Sequence, residues 1–170
     1  MKKIIALAVL CASILPVAAY AEEQAEGHAE NYVGVAVSKL TAAPNSTGTA
    51  VMFGRRYSEH LAAEVAYEDS GALSNSAEKT TAFSVAAVGI MPLNASFEGY
   101  VRLGYASAHS KDATGITANH GDITYGVGVE YRLNEKYSLG LGWDSVRIGD
   151  NVNIPRANEN SYALTVVRSF

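Results

Sequence analysis

Apolar side chains recur at every second position through eight separate stretches of this chain. A period of two is the mark of a β-strand that shows one set of side chains on each face. It is clearest in "YRLNEKYSLGLGWD" (131–144), where Tyr137, Leu139, Leu141 and Trp143 oppose Ser138, Gly140, Gly142 and Asp144. The same alternation predicts strands at 32–39, 49–57, 61–68, 80–91, 97–108, 123–132, 137–144 and 161–170. The fourth is the weakest, because an alanine run blurs the face that Phe83 and Val85 begin. Short polar breaks at 58–60, 92–96 and 133–136 alternate with longer Asn-, Ser-, Gly- and Asp-rich breaks at about 40–48, 69–79, 109–122 and 148–160. A weak repeat aligns "RRYSEHLAAEVAYED" (55–69) on "YRLNEKYSLGLGWDS" (131–145), each reading strand end, short turn, strand start.

The second face decides the surroundings. It carries Glu64, Glu68, Glu98, Arg102, Glu130, Arg132 and Asp144, which water would accept, but also Gly34, Gly104, Gly126, Gly128, Gly140 and Gly142. Glycine weakens a solvated strand face and adds no packing. Inside a narrow closed barrel, small residues instead make room for a few long charged ones. The apolar face then meets lipid, and Tyr57, Phe97, Tyr131 and Tyr137 gather at the short-turn end as an interfacial girdle. An even number of strands with short and long connections in alternation completes the expectation: an all-β, eight-stranded antiparallel up-and-down transmembrane β-barrel.

The two ends of the chain agree with export. Lys2 and Lys3 precede an apolar stretch, Ile4 to Leu15, that is short of the ~20 residues a spanning helix needs; Pro16 and Ala19-Tyr20-Ala21 follow. This predicts a signal peptide over 1–21 with cleavage before Glu22. An acidic periplasmic segment over 22–30 and a barrel over 31–170 then complete the organisation. Cys11 is the single cysteine and lies within the signal, so no disulfide is expected. No later stretch is apolar for 18 residues, which excludes a transmembrane helix. The net charge of −4 becomes more negative once Lys2 and Lys3 are removed, and no basic run remains for nucleic acid.

Several stretches carry a family resemblance: "NYVGVAVSK", "FGRRYSEHLAAEVAYED", "GVGVEYRLNEKYSLGLGWD" and the terminal "YALTVVRSF". Over residues 31–170 the chain resembles the small eight-stranded outer-membrane barrels, which include outer membrane protein X and the membrane domain of outer membrane protein A. Phe170 resembles the terminal signal read by the outer-membrane assembly machinery, although Arg168 stands where an aromatic is usual. The resemblance implies a monomer in the cell outer membrane, surrounded by lipid and lipopolysaccharide, with loops that meet any surface ligand. No peptidoglycan-binding domain follows, so cell-wall anchoring is not implied.

The inward charges near the turn end form the candidate site: Arg56, Glu64, Glu98, Arg102, Glu130 and Arg132. Such groups must pair when they leave water, and eight strands leave only side-chain-sized room. A salt-bridge plug is therefore expected, with Arg102 placed between Glu64 and Glu130. A proton or ion gate, as the resemblance suggests, is the alternative. Catalysis needs a nucleophile and base within reach. The histidines are His28, His60, His109 and His120, and adjacent His109 and Ser110 would point to opposite faces of a strand. Asp112, His120 and Asp122 match no ligand spacing. The expected function is thus non-enzymatic, without cofactor or metal. It is a structural or surface-interaction barrel, the alternative being a narrow ion or small-solute pore and, further off, a lipid A-modifying enzyme.

Overall fold

The computed structural model describes residues 30–41, 47–71, 77–112, 117–148 and 157–170. The signal peptide, the acidic segment up to residue 29 and the centres of the four longer connections lie outside the described residues. Eight strands follow in order: β1 (Glu30–Leu40), β2 (Thr47–Ser58), β3 (Leu61–Gly71), β4 (Ala77–Pro92), β5 (Phe97–Asp112), β6 (Thr117–Arg132), β7 (Tyr137–Ile148) and β8 (Ala157–Ser169). Each pairs antiparallel with its sequence neighbours. β8 returns to β1, Tyr32 against Ser169 and Leu40 against Ser161, so the sheet closes into a barrel. Closure removes every sheet edge, which hydrocarbon requires because it offers backbone groups no other partner.

The alternation resolves into two walls. Val35, Leu103 and Leu141 on the outer wall are 55%, 63% and 61% exposed, whereas Ala36 and Ala62 on the inner wall are 7% and 1% exposed. An apolar surface that encircles the molecule would drive association in water; facing acyl chains it costs nothing. Val85 departs from this, being on the outer wall yet buried, between register partners Val65 and Tyr105.

The strands overrun the lengths expected from hydrophobic alternation, by one or two residues at the short-turn end in β1, β2 and β4 and most at the end away from the short turns. The ladder between β5 and β6 continues through His109↔Asn119, Ser110↔Ala118 and Lys111↔Thr117. Residues 109–112 and 117–122 therefore belong to a hairpin where a loop over 109–122 was expected, and the 40–48, 69–79 and 148–160 breaks shorten likewise. The reason is physical: the apolar face stops where lipid stops, but antiparallel hydrogen bonding does not need lipid and continues into water.

Two of the short turns are built from one motif. In "LNASF" and "LNEKY", Asn94 Oδ1 accepts from the amides of Ser96 and Phe97 at 2.9 and 3.0 Å, and Asn134 Oδ1 from those of Lys136 and Tyr137 at 2.9 and 3.0 Å. The amides of Leu93 and Leu133 donate to the carbonyls of Phe97 and Tyr137, each at 2.9 Å. Asparagine thus caps the turn with its own side chain. The third turn is tighter, and Ser58 Oγ takes the asparagine's role by accepting from the His60 amide at 3.2 Å.

Candidate functional site

Successive strands of a barrel are about 4.8 Å apart, so strands two apart lie roughly 10 Å from each other. A long side chain can cross that gap only if the strand between presents nothing. The register provides this arrangement twice. Tyr32 on β1 pairs with Gly54 on β2, which pairs with Glu64 on β3. Arg102 on β5 pairs with Gly126 on β6, which pairs with Asp144 on β7. In each row the outer two side chains meet over the glycine. The Tyr32 hydroxyl donates to Glu64 Oε1 at 2.7 Å, and Arg102 Nη1 donates to Asp144 Oδ1 at 3.0 Å.

Arg102 then joins the two rows. Its Nε and Nη2 lie 2.9 and 2.8 Å from Glu64 Oε2. Tyr100 lies beside it, with Arg102 Cζ 5.4 Å from the ring centroid. The result is a polar belt across the lumen, supplied by β1, β3, β5 and β7. Glu64 is buried and Arg102 and Asp144 are mostly so. Guanidinium suits this position because its planar fork serves two carboxylates at once and stays charged at any physiological pH.

A second layer lies closer to the short turns. Arg56 on β2 binds Glu98 on β5 through both terminal nitrogens, at 3.1 and 3.0 Å. The same arginine donates to the carbonyls of Ser58 and Glu59 in its own turn. Arg132 on β6 also donates to Glu98. Glu130 shares a hydrogen bond with Ser138. Of the two carboxylates expected beside Arg102, Glu64 is there, but the second is Asp144 and not Glu130. Glu130 was expected level with Arg102, but the barrel's stagger places it opposite Glu98, a full layer lower. Asp144, Tyr32 and Tyr100 complete the belt; the sequence places Asp144 on the inward face but none of the three in the candidate site, and the signal for the first two is a glycine on the intervening strand.

The belt divides the lumen. On the side of the long hairpins a cavity of about 120 Å³ is lined by alanines, among them Ala36, Ala66 and Ala106, and by polar side chains such as Ser38, Glu68 and Thr80. On the other side about 60 Å³ remains before the second layer, beyond which a mouth of about 490 Å³ opens between the short turns. Phe170 lies at that end on the outer wall, its backbone exchanging hydrogen bonds with Asn31. Of the histidines, His60 bonds the Ile90 carbonyl and His109 bonds Asn119 on the outer wall. His28 and the side chains of Asp112 and His120 lie outside the described residues.

A residue at position 126 larger than glycine should break the second row. An ideal Cβ there would fall 2.1 Å from Asp144 Oδ1 and 2.9 Å from the Trp143 carbonyl. Gly126→Ala is expected to cost about 1–3 kcal/mol, as overpacking does. Unfolding in urea from lipid vesicles measures it, and the cost should shrink when Asp144→Ala is already present.

The family model of the outer membrane protein beta-barrel domain matches residues 7–170. The chain belongs to this family. It is a β-barrel of the cell outer membrane. Among solved structures, the N-terminal β-barrel domain of Pseudomonas aeruginosa OprF is similar, with TM-score 0.68 and 13% identity over 85% of this chain and 100% of that one. Neisserial surface protein A gives 0.62 and 18% over 83% and 96%. Ail of Yersinia pestis gives 0.54 and 14% over 85% and 100%. No curated protein sequence matches the chain.

Proposed function

We propose that this barrel is a non-enzymatic, monomeric structural and surface-interaction protein whose lumen is sealed by side chains. Its signal peptide over 1–21 is removed before Glu22, its short turns and both termini face the periplasm, and its long hairpins face outward. The observation that supports this reading is Arg102, held by Glu64 and Asp144 across the lumen's width. A belt in which each charge already has a partner stiffens the barrel and leaves a permeating ion no group to replace its hydration. Phe170 serves as the signal for the assembly machinery. Lipid and lipopolysaccharide surround the wall, and the hairpin tips meet surface ligands. Ail, one of the similar barrels, is known in complex with the heparin analogue sucrose octasulfate.

One observation favours the narrow pore as a second reading. The hairpin-side cavity and the turn-side mouth already approach the two layers from opposite ends. Planar-bilayer recordings separate the readings: a sealed barrel shows little steady conductance, and a large, stable conductance from the unmodified protein would establish the pore.

A further inference from the structure

Charge at the short-turn end is segregated between the two walls. The acids Glu30, Glu59, Glu98, Glu130 and Glu135 line the lumen mouth, together with Arg56 and Arg132. Arg55 and Arg168 do not join them. The two-residue period places Arg55 with Val51, Phe53 and Tyr57, and Arg168 with Leu164 and Val166, on the wall that meets lipid.

These two arginines flank one strand. Asn31 of β1 pairs with Arg55, and Val33 of β1 pairs with Arg168. Two strand spacings across and two residues along put their Cα atoms about 12 Å apart, well within joint reach of two arginine side chains. Arg168 also pairs with Tyr137, next to the turn residue Lys136, whose carbonyl accepts from the Ser169 amide at 2.9 Å. Arg55 lies over the Tyr57 ring, 5.7 Å from Cζ to centroid. Arg168 is exposed and has no carboxylate partner among the described residues. The setting is the aromatic girdle, the depth at which phospholipid phosphates sit.

We infer that Arg55 and Arg168 form a binding site, astride β1, for the headgroup of an anionic phospholipid in the leaflet at the short-turn end. Arg168, a cationic group on a lipid-facing wall, needs an anion or water, and Arg55 adds a second positive charge beside it. Guanidinium binds phosphate oxygens through paired donors, and Tyr57 and Tyr137 provide flat surfaces beside the upper acyl chains. This also accounts for a basic residue two places before Phe170. The site acts against the overall balance, since a chain of net charge −4 would otherwise repel anionic lipid.

Quenching by lipid with brominated acyl chains tests the site in vesicles of mixed phosphatidylglycerol and phosphatidylcholine. Trp143, the chain's single tryptophan, is six residues up β7 from Tyr137, or about 20 Å. It reports on the wall away from the site, and Tyr137→Trp in a Trp143→Phe chain reports on the site itself. The expected result is preferential quenching of Trp at 137 by the phosphatidylglycerol form, with no preference at Trp143. Arg55→Gln and Arg168→Gln should each weaken that preference about fivefold, and the double variant should abolish it. Equal quenching by both lipids at 137 with both arginines present would overturn the inference, as would the same preference at 143, or its survival in the double variant. The first comparison uses chains that keep both arginines, so it stands whether or not the glutamine variants fold. It is also independent of whether the lumen conducts.

Discussion

Arg102→Ala should lower the unfolding free energy by roughly 3–5 kcal/mol, the usual cost of removing one partner from a buried ion pair. The value should fall toward the lower end, because Asp144 keeps 24% of its side chain exposed while Glu64 keeps 9%. The loss has two parts: two carboxylates are left without their cation, and β5 is released from β3 and β7. Glu64→Gln in the same chain should recover part of the loss. It removes the more deeply buried charge while leaving an oxygen for the Tyr32 hydroxyl. Urea unfolding from vesicles gives both numbers. If the loss is small and Arg102→Ala instead opens a steady conductance, the belt is a gate and not a brace.

Leu141→Arg tests the assignment of the two walls. Leu141 sits at about mid-strand between register partners Val129 and Leu164, and it is 61% exposed toward what must be hydrocarbon. An arginine there should cost about 2–4 kcal/mol. Gly142→Arg, one residue on, should fail for a different reason. An ideal Cβ would fall 2.4 Å from the Tyr100 hydroxyl, and a second guanidinium would compete with Arg102 for Asp144. A folded barrel of this kind runs differently before and after boiling on a detergent gel, so loss of the fast unheated form reads both variants. Wild-type folding of Leu141→Arg in vesicles would mean that the walls are inverted.

Much of this protein is legible from residue order alone. A period of two reports strand and face together, because successive side chains on a strand must point to opposite sides. Eight such stretches, with glycine and charge sharing one face, leave closure around a crowded lumen as the arrangement that satisfies backbone and side chains in lipid. The inward positions of Arg56, Glu64, Glu98, Arg102, Glu130 and Arg132 follow from the same parity. Strand length past the bilayer was not legible, since hydrophobic alternation reports lipid contact while the β5–β6 ladder runs on through Lys111↔Thr117 in polar sequence.

Which charge meets which was decided only by the tertiary structure. Parity says that Arg102, Glu130 and Asp144 all point inward, but not how far each lies along the barrel axis. That depth depends on the stagger accumulated from strand to strand, a property of the closed sheet and of no single segment. Stagger sets Glu130 against Glu98 and brings Asp144 level with Arg102 across Gly126. The sequence by itself determined the barrel and its two walls, because those rest on a local two-residue period. The belt that crosses the lumen is a long-range register, and it exists only once β8 has met β1.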